Sequence, residues 1–362
     1  MKIIHVVGAR PNFMKVAPVM SALEKKEGVK QILVHTGQHY DVNMSDIFFL
    51  QLGIPLPDIN LEVGSGSHAV QTAQIMMRFE ETVFKEKPAL VLVYGDVNST
   101  VAAALVCAKL GICVGHVEAG LRSFDRTMPE EINRLMTDQI ADYLFTPSKD
   151  GDENLLREGI TKEKIHFVGN VMIDTLVRLL PVANDLWLRL SSELKVAEKK
   201  YCLVTLHRPS NVDDPGMLKH IMGALDEISQ ELPIVFPIHP RTRERMAVYN
   251  INVSDNGNLQ LVDPVGYLDF LCLQQRAKLI ITDSGGIQEE TTYLKVPCLT
   301  VRENTERPVT VTKGTNILVG QDIGRLKHEA FCILNGEVKN GEIPPFWDGK
   351  ASERIADIIC KR

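Results

Sequence analysis

The chain has 362 residues, with 40 Lys and Arg against 46 Asp and Glu, a formal net charge of −6. That mild acidic excess does not suit a protein that binds nucleic-acid backbone over a broad basic surface. Apolar residues at 44% and charged residues at 24% exclude wholesale disorder. At roughly 150 residues per domain, the length points to two domains. The N-terminal apolar run, Ile3–Val7, is too short for a signal peptide and is broken by His5. No window approaches the ~18 apolar residues of a membrane span, and the chain reads as cytoplasmic. Cys107, Cys113, Cys202, Cys272, Cys298, Cys332 and Cys360 are an odd, scattered set without a C-x-x-C pair. They read as reduced thiols, not as a disulfide frame or a zinc site.

Short apolar strands alternate with polar loops and amphipathic helices. Strand-like Ile3–Val7 is followed by a loop at 8–12 and a helix over Phe13–Lys26, with apolar residues at Phe13, Val16, Ala17, Met20 and Leu23. Then come strand Gln31–His35, helical segments Met44–Leu52 and Ala69–Phe84, and strand Leu90–Tyr94. Helix Thr100–Leu110, strand Cys113–Val117, helix Pro129–Ala141 and strands Tyr143–Phe145 and Ile165–Val168 follow. Val171–Ala197 reads as helix and connector. The rhythm then restarts with strands Cys202–Leu206, Ile234–Ile238, Leu259–Val262, Leu279–Thr282 and Cys298–Val301, and Ser352–Ile359 closes the chain as a helix. Alternating βα units build parallel sheets covered by helices. The expected fold class is α/β, two Rossmann-like doubly wound domains facing across a cleft. One spans 1–170, with 351–362 packing back on it, and the other spans 171–350. Ligands of such folds sit at the carboxyl ends of the strands.

Chemistry-bearing residues cluster at those ends. Gly8-Ala9-Arg10-Pro11 follows the first strand, with Lys15 close behind. A helix N-terminus beside two cations reads as an anion site, phosphate first. Gly95-Asp96 follows the strand ending at Tyr94, Glu118 follows the one ending at Val117, and Pro129-Glu130-Glu131 opens a helix. Asp96, Glu118 and Glu130 form a candidate acid/base set. Helix capping competes as an explanation for Asp96, and dipole complementation for Glu130 and Glu131.

In the second half, His207-Arg208-Pro209 ends one strand and His239 another. Each is a candidate for phosphate contact or proton transfer, or a packing histidine. Asp283-Ser284-Gly285-Gly286 opens a helix whose N–H groups suit a diphosphate, with Glu290 about one turn on and Thr305-Glu306-Arg307-Pro308 after the next strand. One dinucleotide-like string, Gly64-Ser65-Gly66-Ser67-His68-Ala69, lacks a preceding strand and a distal acid, so Ser67 is read as a helix cap instead. No His, Cys and Asp spacing suggests a metal.

Seven strings occur in order: Gly8-x-Arg10-Pro11-x-x-x-Lys15, Gly95-Asp96, His116-Val117-Glu118-Ala119-Gly120-Leu121-Arg122, Pro129-Glu130-Glu131-x-Asn133-Arg134, Thr205-x-His207-Arg208, Thr282-Asp283-Ser284-Gly285-Gly286-x-Gln288-Glu289-Glu290, and Thr305-Glu306-Arg307-Pro308. Together they resemble the non-hydrolysing UDP-N-acetylglucosamine 2-epimerases. The resemblance implies a GT-B-type pair of domains, a homodimer, and interconversion of UDP-GlcNAc and UDP-ManNAc for surface polysaccharides. It implies that Arg10, Ser284, Gly285, Gly286 and His207 hold the diphosphate and Glu290 the ribose. Val265, Tyr267 and Phe270 would flank the uracil, and Lys15 and Arg307 would line the ligand site. Asp96, Glu118 and Glu130 would be the catalytic set together with His207.

The C2 proton of such a sugar is not beside a carbonyl. Removing it requires either oxidation at C3 by a bound nicotinamide or departure of UDP from C1. The missing dinucleotide fingerprint favours departure of UDP, with no cofactor. One loop departs from the family pattern: Gly37-Gln38-His39-Tyr40-Asp41 carries Tyr40 and Asp41 where activator-dependent members have other residues. Activation by UDP-GlcNAc and the identity of the sugar therefore stay open. So do a hydrolysing 2-epimerase, a glycosyltransferase of the same fold and a nucleotide-sugar sensor.

Overall fold

The computed structural model describes residues 1–37, 53, 55–253 and 257–361, and all of Arg10 but its side chain. The expected helix at 44–52 and the loop carrying Gln38, His39, Tyr40 and Asp41 lie outside the described residues. The chain forms two compact units, 1–177 with 345–362, and 178–344.

In the first unit the elements are β1 (Lys2–Val7), α1 (Arg10–Glu24), β2 (Lys30–His35), β3 (Ile59–Asn60), α2 (His68–Glu86), β4 (Leu90–Tyr94) and α3 (Asn98–Leu110). They continue with β5 (Cys113–Val117), α4 (Pro129–Ile140), β6 (Tyr143–Thr146), α5 (Lys149–Arg157), β7 (Ile165–Phe167) and α6 (Val171–Asn184), which runs on into the second unit. The strands lie in the order β3-β2-β1-β4-β5-β6-β7, all parallel. Residues 90–94 are buried throughout, as a strand covered on both faces requires.

The second unit has α7 (Trp187–Glu193), β8 (Cys202–Thr205), α8 (Pro209–Val212), α9 (Pro215–Ser229), β9 (Ile234–Pro237), α10 (Pro240–Val248), β10 (Leu259–Val262) and α11 (Tyr267–Arg276). After these come β11 (Leu279–Thr282), α12 (Gly285–Leu294), β12 (Cys298–Thr300), α13 (Pro308–Thr312), β13 (Asn316–Leu318) and α14 (Ile323–Leu334). Its parallel strands run β10-β9-β8-β11-β12-β13. The last helix, α15 (Ala351–Cys360), belongs to the first unit.

Both sheets are therefore doubly wound, as expected. The strand order reverses between β1 and β4 in one sheet and between β8 and β11 in the other. Such reversals open the crevice where doubly wound folds take ligands. The loops after β1, β4, β8 and β11 carry Lys15, Asp96, His207 and Ser284 at or just beyond them.

Two short edge strands, β3 and β13, were not expected. Each is too short to show a periodic pattern, and pairing with a neighbouring strand defines it. The expected boundary at 170/171 falls at the start of α6, whereas the units divide within that helix. The first half of α6 is held by the first unit. Thr175 donates its hydroxyl to the Met14 carbonyl at 2.6 Å, and Asp174 accepts from the N–H groups of Ala351 (3.1 Å) and Ser352 (2.7 Å), capping α15. The return segment from Pro345 is held in the same way. The Trp347 indole donates to the Pro147 carbonyl at 2.9 Å, and Lys26 pairs with Asp357 at 2.6 Å.

Candidate active site

In the first unit, Gly8 is a glycine by necessity. A Cβ there would stand 2.0 Å from the Ser99 hydroxyl oxygen. The N–H groups of Gly8 and Ala9 both donate to Asn12 Oδ1, at 3.1 and 3.0 Å, and the Asn12 amide donates to the Tyr94 carbonyl at 2.8 Å. The α1 N-terminus thus has donors already occupied. Lys15, expected as a cation for an anion, is buried and ion-paired with Glu118. Both lie against Gly95, where a Cβ would meet Lys15 Nζ at 2.6 Å and Glu118 Oε2 at 3.2 Å.

Glu118 has φ +77°, a left-handed conformation that costs a non-glycine residue about 1–3 kcal/mol. The surroundings enforce it. Its N–H and that of Ala119 both donate to the Phe145 carbonyl, at 3.1 and 3.0 Å. Gly120, at φ +79°, passes so close to Gly151 that a Cβ would stand 2.5 Å from its carbonyl oxygen.

Asp96 is not the N-cap of a helix. The N-cap of α3 is Val97, with no side-chain capping bond. Arg134 instead grips Asp96 Oδ2 through Nε (3.0 Å) and Nη2 (2.5 Å), and the Asn133 amide donates to the Asp96 carbonyl at 2.9 Å. Glu130 is half-buried on the first turn of α4. Its neighbour Glu131 is the buried one. It accepts from Ser123 N, Ser123 Oγ and Phe124 N, each at 3.0 Å, and from Arg134 at 2.7 Å. Glu131 was not singled out in the sequence, although its i,i+3 spacing to Arg134 was a usable sign.

Asp138 was also missed. It accepts from His116 Nδ1 (2.6 Å), Gly120 N (3.1 Å) and Arg122 Nη1 (2.7 Å), while His116 Nε2 stands 2.8 Å from the Gly95 carbonyl. Burial opposes ionisation of Asp138, but His116 and Arg122 together hold its carboxyl below the usual range.

In the second unit, β8 and β11 pair Thr205 with Thr282, so the loops after them are neighbours. Asp283 is buried there and accepts from His207 N and Arg208 N at 2.9 and 2.8 Å. His239, the alternative histidine, is the N-cap of α10 and accepts from Arg241 N at 3.2 Å.

Ser284 is the N-cap of α12, and its hydroxyl makes no capping bond. Helix geometry leaves the N–H groups of Gly285, Gly286 and Ile287 without intrahelical acceptors. Gly285 lies under Arg307: a Cβ would stand 2.6 Å from Nη1 and 2.9 Å from Glu306 Oε1. Arg307 itself is buried and bound to Glu289 at 2.9 Å and to Glu306. Glu290, buried in α12, accepts from the Tyr267 hydroxyl at 2.9 Å. Burial pushes its carboxyl up to about 7, against the lowering pull of Tyr267. Val265, Tyr267 and Phe270 are all half-buried around the start of α11. Among the described residues, no group of three or more His, Cys, Asp and Glu side chains could hold a metal ion.

The family model for UDP-N-acetylglucosamine 2-epimerase matches residues 21–360. The chain belongs to the UDP-N-acetylglucosamine 2-epimerase family. It is an isomerase of the nucleotide-sugar class. A Methanocaldococcus jannaschii UDP-N-acetylglucosamine 2-epimerase is 46% identical over 364 residues, 99% of each chain. A crystal structure of the M. jannaschii enzyme in complex with UDP-GlcNAc and UDP superposes over 100% of both chains with a TM-score of 0.90 at 45% identity. A Pseudomonas aeruginosa UDP-2,3-diacetamido-2,3-dideoxy-D-glucuronate 2-epimerase is 43% identical over the full length of both. The 2-epimerase family thus includes members named for different sugars.

Two expectations follow from this geometry. Glu118→Ala removes the partner of a buried ammonium and should cost about 3–5 kcal/mol. Glu118→Gly should recover about 1 kcal/mol of that, because glycine adopts the left-handed conformation freely. Urea unfolding of the two variants checks the order, and equal stabilities would show that the φ is unstrained.

The second concerns pH. Glu290 has its folded pKa raised from 4.5 to about 7, so its contribution to stability is full below about 4.5 and is lost as pH rises through about 7. The wild type should therefore lose more stability than Glu290→Gln between pH 5 and pH 8 in parallel urea titrations. An equal loss in both would place the carboxyl at its ordinary value.

Proposed function

We propose that this isomerase inverts C2 of a UDP-N-acetylhexosamine, interconverting UDP-GlcNAc and UDP-ManNAc by elimination and re-addition of UDP. The full-length likeness to the M. jannaschii enzyme carries the reading. The C1–O bond breaks with its electron pair leaving on UDP, a carboxylate takes the C2 proton, and 2-acetamidoglucal results. Return of a proton to the opposite face of C2, with re-addition of UDP oxygen at C1, completes the inversion.

The chemistry of each unit supports its part. Asp96, Glu118 and Glu130 are the proposed acid/base set. Lys15, ion-paired with Glu118, orients that carboxylate. The first-turn N–H groups of α12, with Ser284, Gly285 and Gly286, are the proposed diphosphate cradle, together with Arg10 and His207. Arg307 supports the cradle from beneath Gly285. Glu290, which accepts from the Tyr267 hydroxyl, is the proposed ribose contact, and Val265, Tyr267 and Phe270 are the proposed uracil contacts. The scheme uses no metal and no nicotinamide.

Among the described residues, no helix is long and apolar enough to cross a membrane, and we place the reaction in the cytoplasm. We also propose a homodimer. A groove of about 560 Å³ among α2, α3 and α4, lined by Ala69, Ala73, Met76, Val101, Leu105 and Met136, supports an apolar contact with a second copy.

Proton NMR with UDP-GlcNAc in deuterated water tests the reaction. UDP-ManNAc should form with deuterium at C2, and Glu118→Gln should lower kcat by ~10²–10⁴-fold. Free sugar and UDP as the first products would favour the hydrolysing reaction, and protium retained at C2 would exclude the elimination. Turnover of UDP-2,3-diacetamido-2,3-dideoxy-D-glucuronate in place of UDP-GlcNAc would reassign the sugar.

A further inference from the structure

Against the start of α12 lies a chain of four buried charges. Arg302, just past the end of β12, is 5% exposed, Glu306 3%, Arg307 8% and Glu289 1%. They are joined in alternating sign. Arg302 Nη2 donates to Glu306 Oε2 at 2.7 Å, Glu306 Oε1 accepts from Arg307 Nη1, and Arg307 Nε stands 2.9 Å from Glu289 Oε1. Three features of the fold place this chain at the helix terminus. β11 and β12 pair Thr282 with Thr300, so the loops after them are neighbours. The Thr305 hydroxyl donates to Gln288 Oε1 of α12 at 2.7 Å. Gly285 lies against Arg307 Nη1 and Glu306 Oε1, which leave no room for a Cβ.

Burying ion pairs costs desolvation, and apolar side chains of similar size commonly stabilise a core as well or better. Position gives the cluster another use. Two carboxylates adjoin Arg307. Together they outweigh its single positive charge, and a net negative charge would then lie under the N–H groups of Gly285, Gly286 and Ile287. Such a charge opposes any anion held there, and burial keeps solvent ions from screening it. Arg302 removes the excess. Its guanidinium is permanently charged, and it takes the oxygen of Glu306 that Arg307 does not.

We infer that Arg302 is a positioning residue for the nucleotide: by neutralising Glu306 it keeps the base of the α12 cradle from repelling the diphosphate. The inference rests on the diphosphate cradle proposed above. Arg302 acts through Glu306 and Arg307, and its role requires no contact with substrate and no bond change. The same balance serves the departure of UDP, when negative charge grows on the leaving diphosphate.

Calorimetric titration with UDP, and with uridine, which has the base and ribose but no phosphate, tests this. Arg302→Met keeps an unbranched side chain without the charge. It should weaken UDP binding about tenfold or more and leave uridine affinity within about twofold. Arg302→Lys keeps the charge and should bind UDP within about threefold of wild type. The deciding variant removes a second group. Arg302→Met combined with Glu306→Gln takes away the stranded carboxylate and should regain most of the lost UDP affinity. A purely architectural Arg302 predicts the reverse, since two deletions in one network disturb it more than one. The double variant leaves Arg307 paired with Glu289, so it still decides the matter if Arg302→Met alone does not fold. Unchanged UDP affinity in a folded Arg302→Met would overturn the inference. So would UDP and uridine weakened alike, or a folded double variant that binds UDP far more weakly than wild type. A wild type that binds no UDP would remove the cradle itself. A wild type that binds UDP without epimerising UDP-GlcNAc would remove the proposed reaction and leave this inference standing, so the two failures are separable.

Discussion

Each sheet depends on one buried aspartate that collects loops at the carboxyl ends of its strands. Parallel strands end in loops whose amides have no partner in the ladder, and burying such amides unsatisfied is costly. Asp138 answers this in the first unit, gathering the N–H of Gly120, the guanidinium of Arg122 and the ring of His116. Asp283 answers it in the second, gathering His207, Arg208 and Asn211. In the first a histidine joins the cluster by a hydrogen bond through Nδ1, and in the second the His207 ring lies beside the carboxylate, Nδ1 3.0 Å from Oδ1. Desolvating a carboxylate is expensive, and only several charge-assisted donors at once offset that. The loops carrying Glu118 and His207 are therefore set by the carboxylates beneath them.

Most of the fold was legible because buried strands and amphipathic helices leave strong patterns. Leu90–Tyr94, Cys113–Val117 and Leu279–Thr282 match their expected bounds because every residue in them is forced inward or paired in register. The edge strands β3 and β13 left no such pattern. Glycines were legible as turns, but the reasons for them were not. Gly8 is required by Ser99, Gly120 by Gly151 and Gly285 by Arg307, and these are contacts between distant segments.

The candidate residues were legible as a set but less so in their pairings. Lys15 and Arg307 read as cations awaiting an anion, yet each is already bound to carboxylates. Asp96 read as a possible cap and is gripped by Arg134. Asp138 was passed over because an acid inside an amphipathic helix normally faces water, and its spacing gives no sign of the buried His116 and Arg122 that meet it; Glu131 read only as a complement to the helix dipole, although Arg134 three residues on is its partner. Compensated charges have a chemical effect as well. On the proposed reading, a phosphate reaching these loops would meet donors already oriented by salt links, leaving little reorganisation for the reaction.

The chain passes from the first unit into the second within α6 and returns at Pro345. The second unit is thus an insertion in the sequence of the first. During synthesis, the strands and helices up to Val177 leave the ribosome long before Trp347 and α15 exist. Until then Asp174 is without the helix terminus it caps, and α1 is without the helix that pairs Asp357 with Lys26. A newly made first unit must wait, unfinished, through the translation of 167 residues, 178–344, before its last piece arrives. At ~5–20 residues per second that wait is on the order of 10–30 s. The second unit, contiguous in sequence, faces no such delay and is free to finish folding before the first.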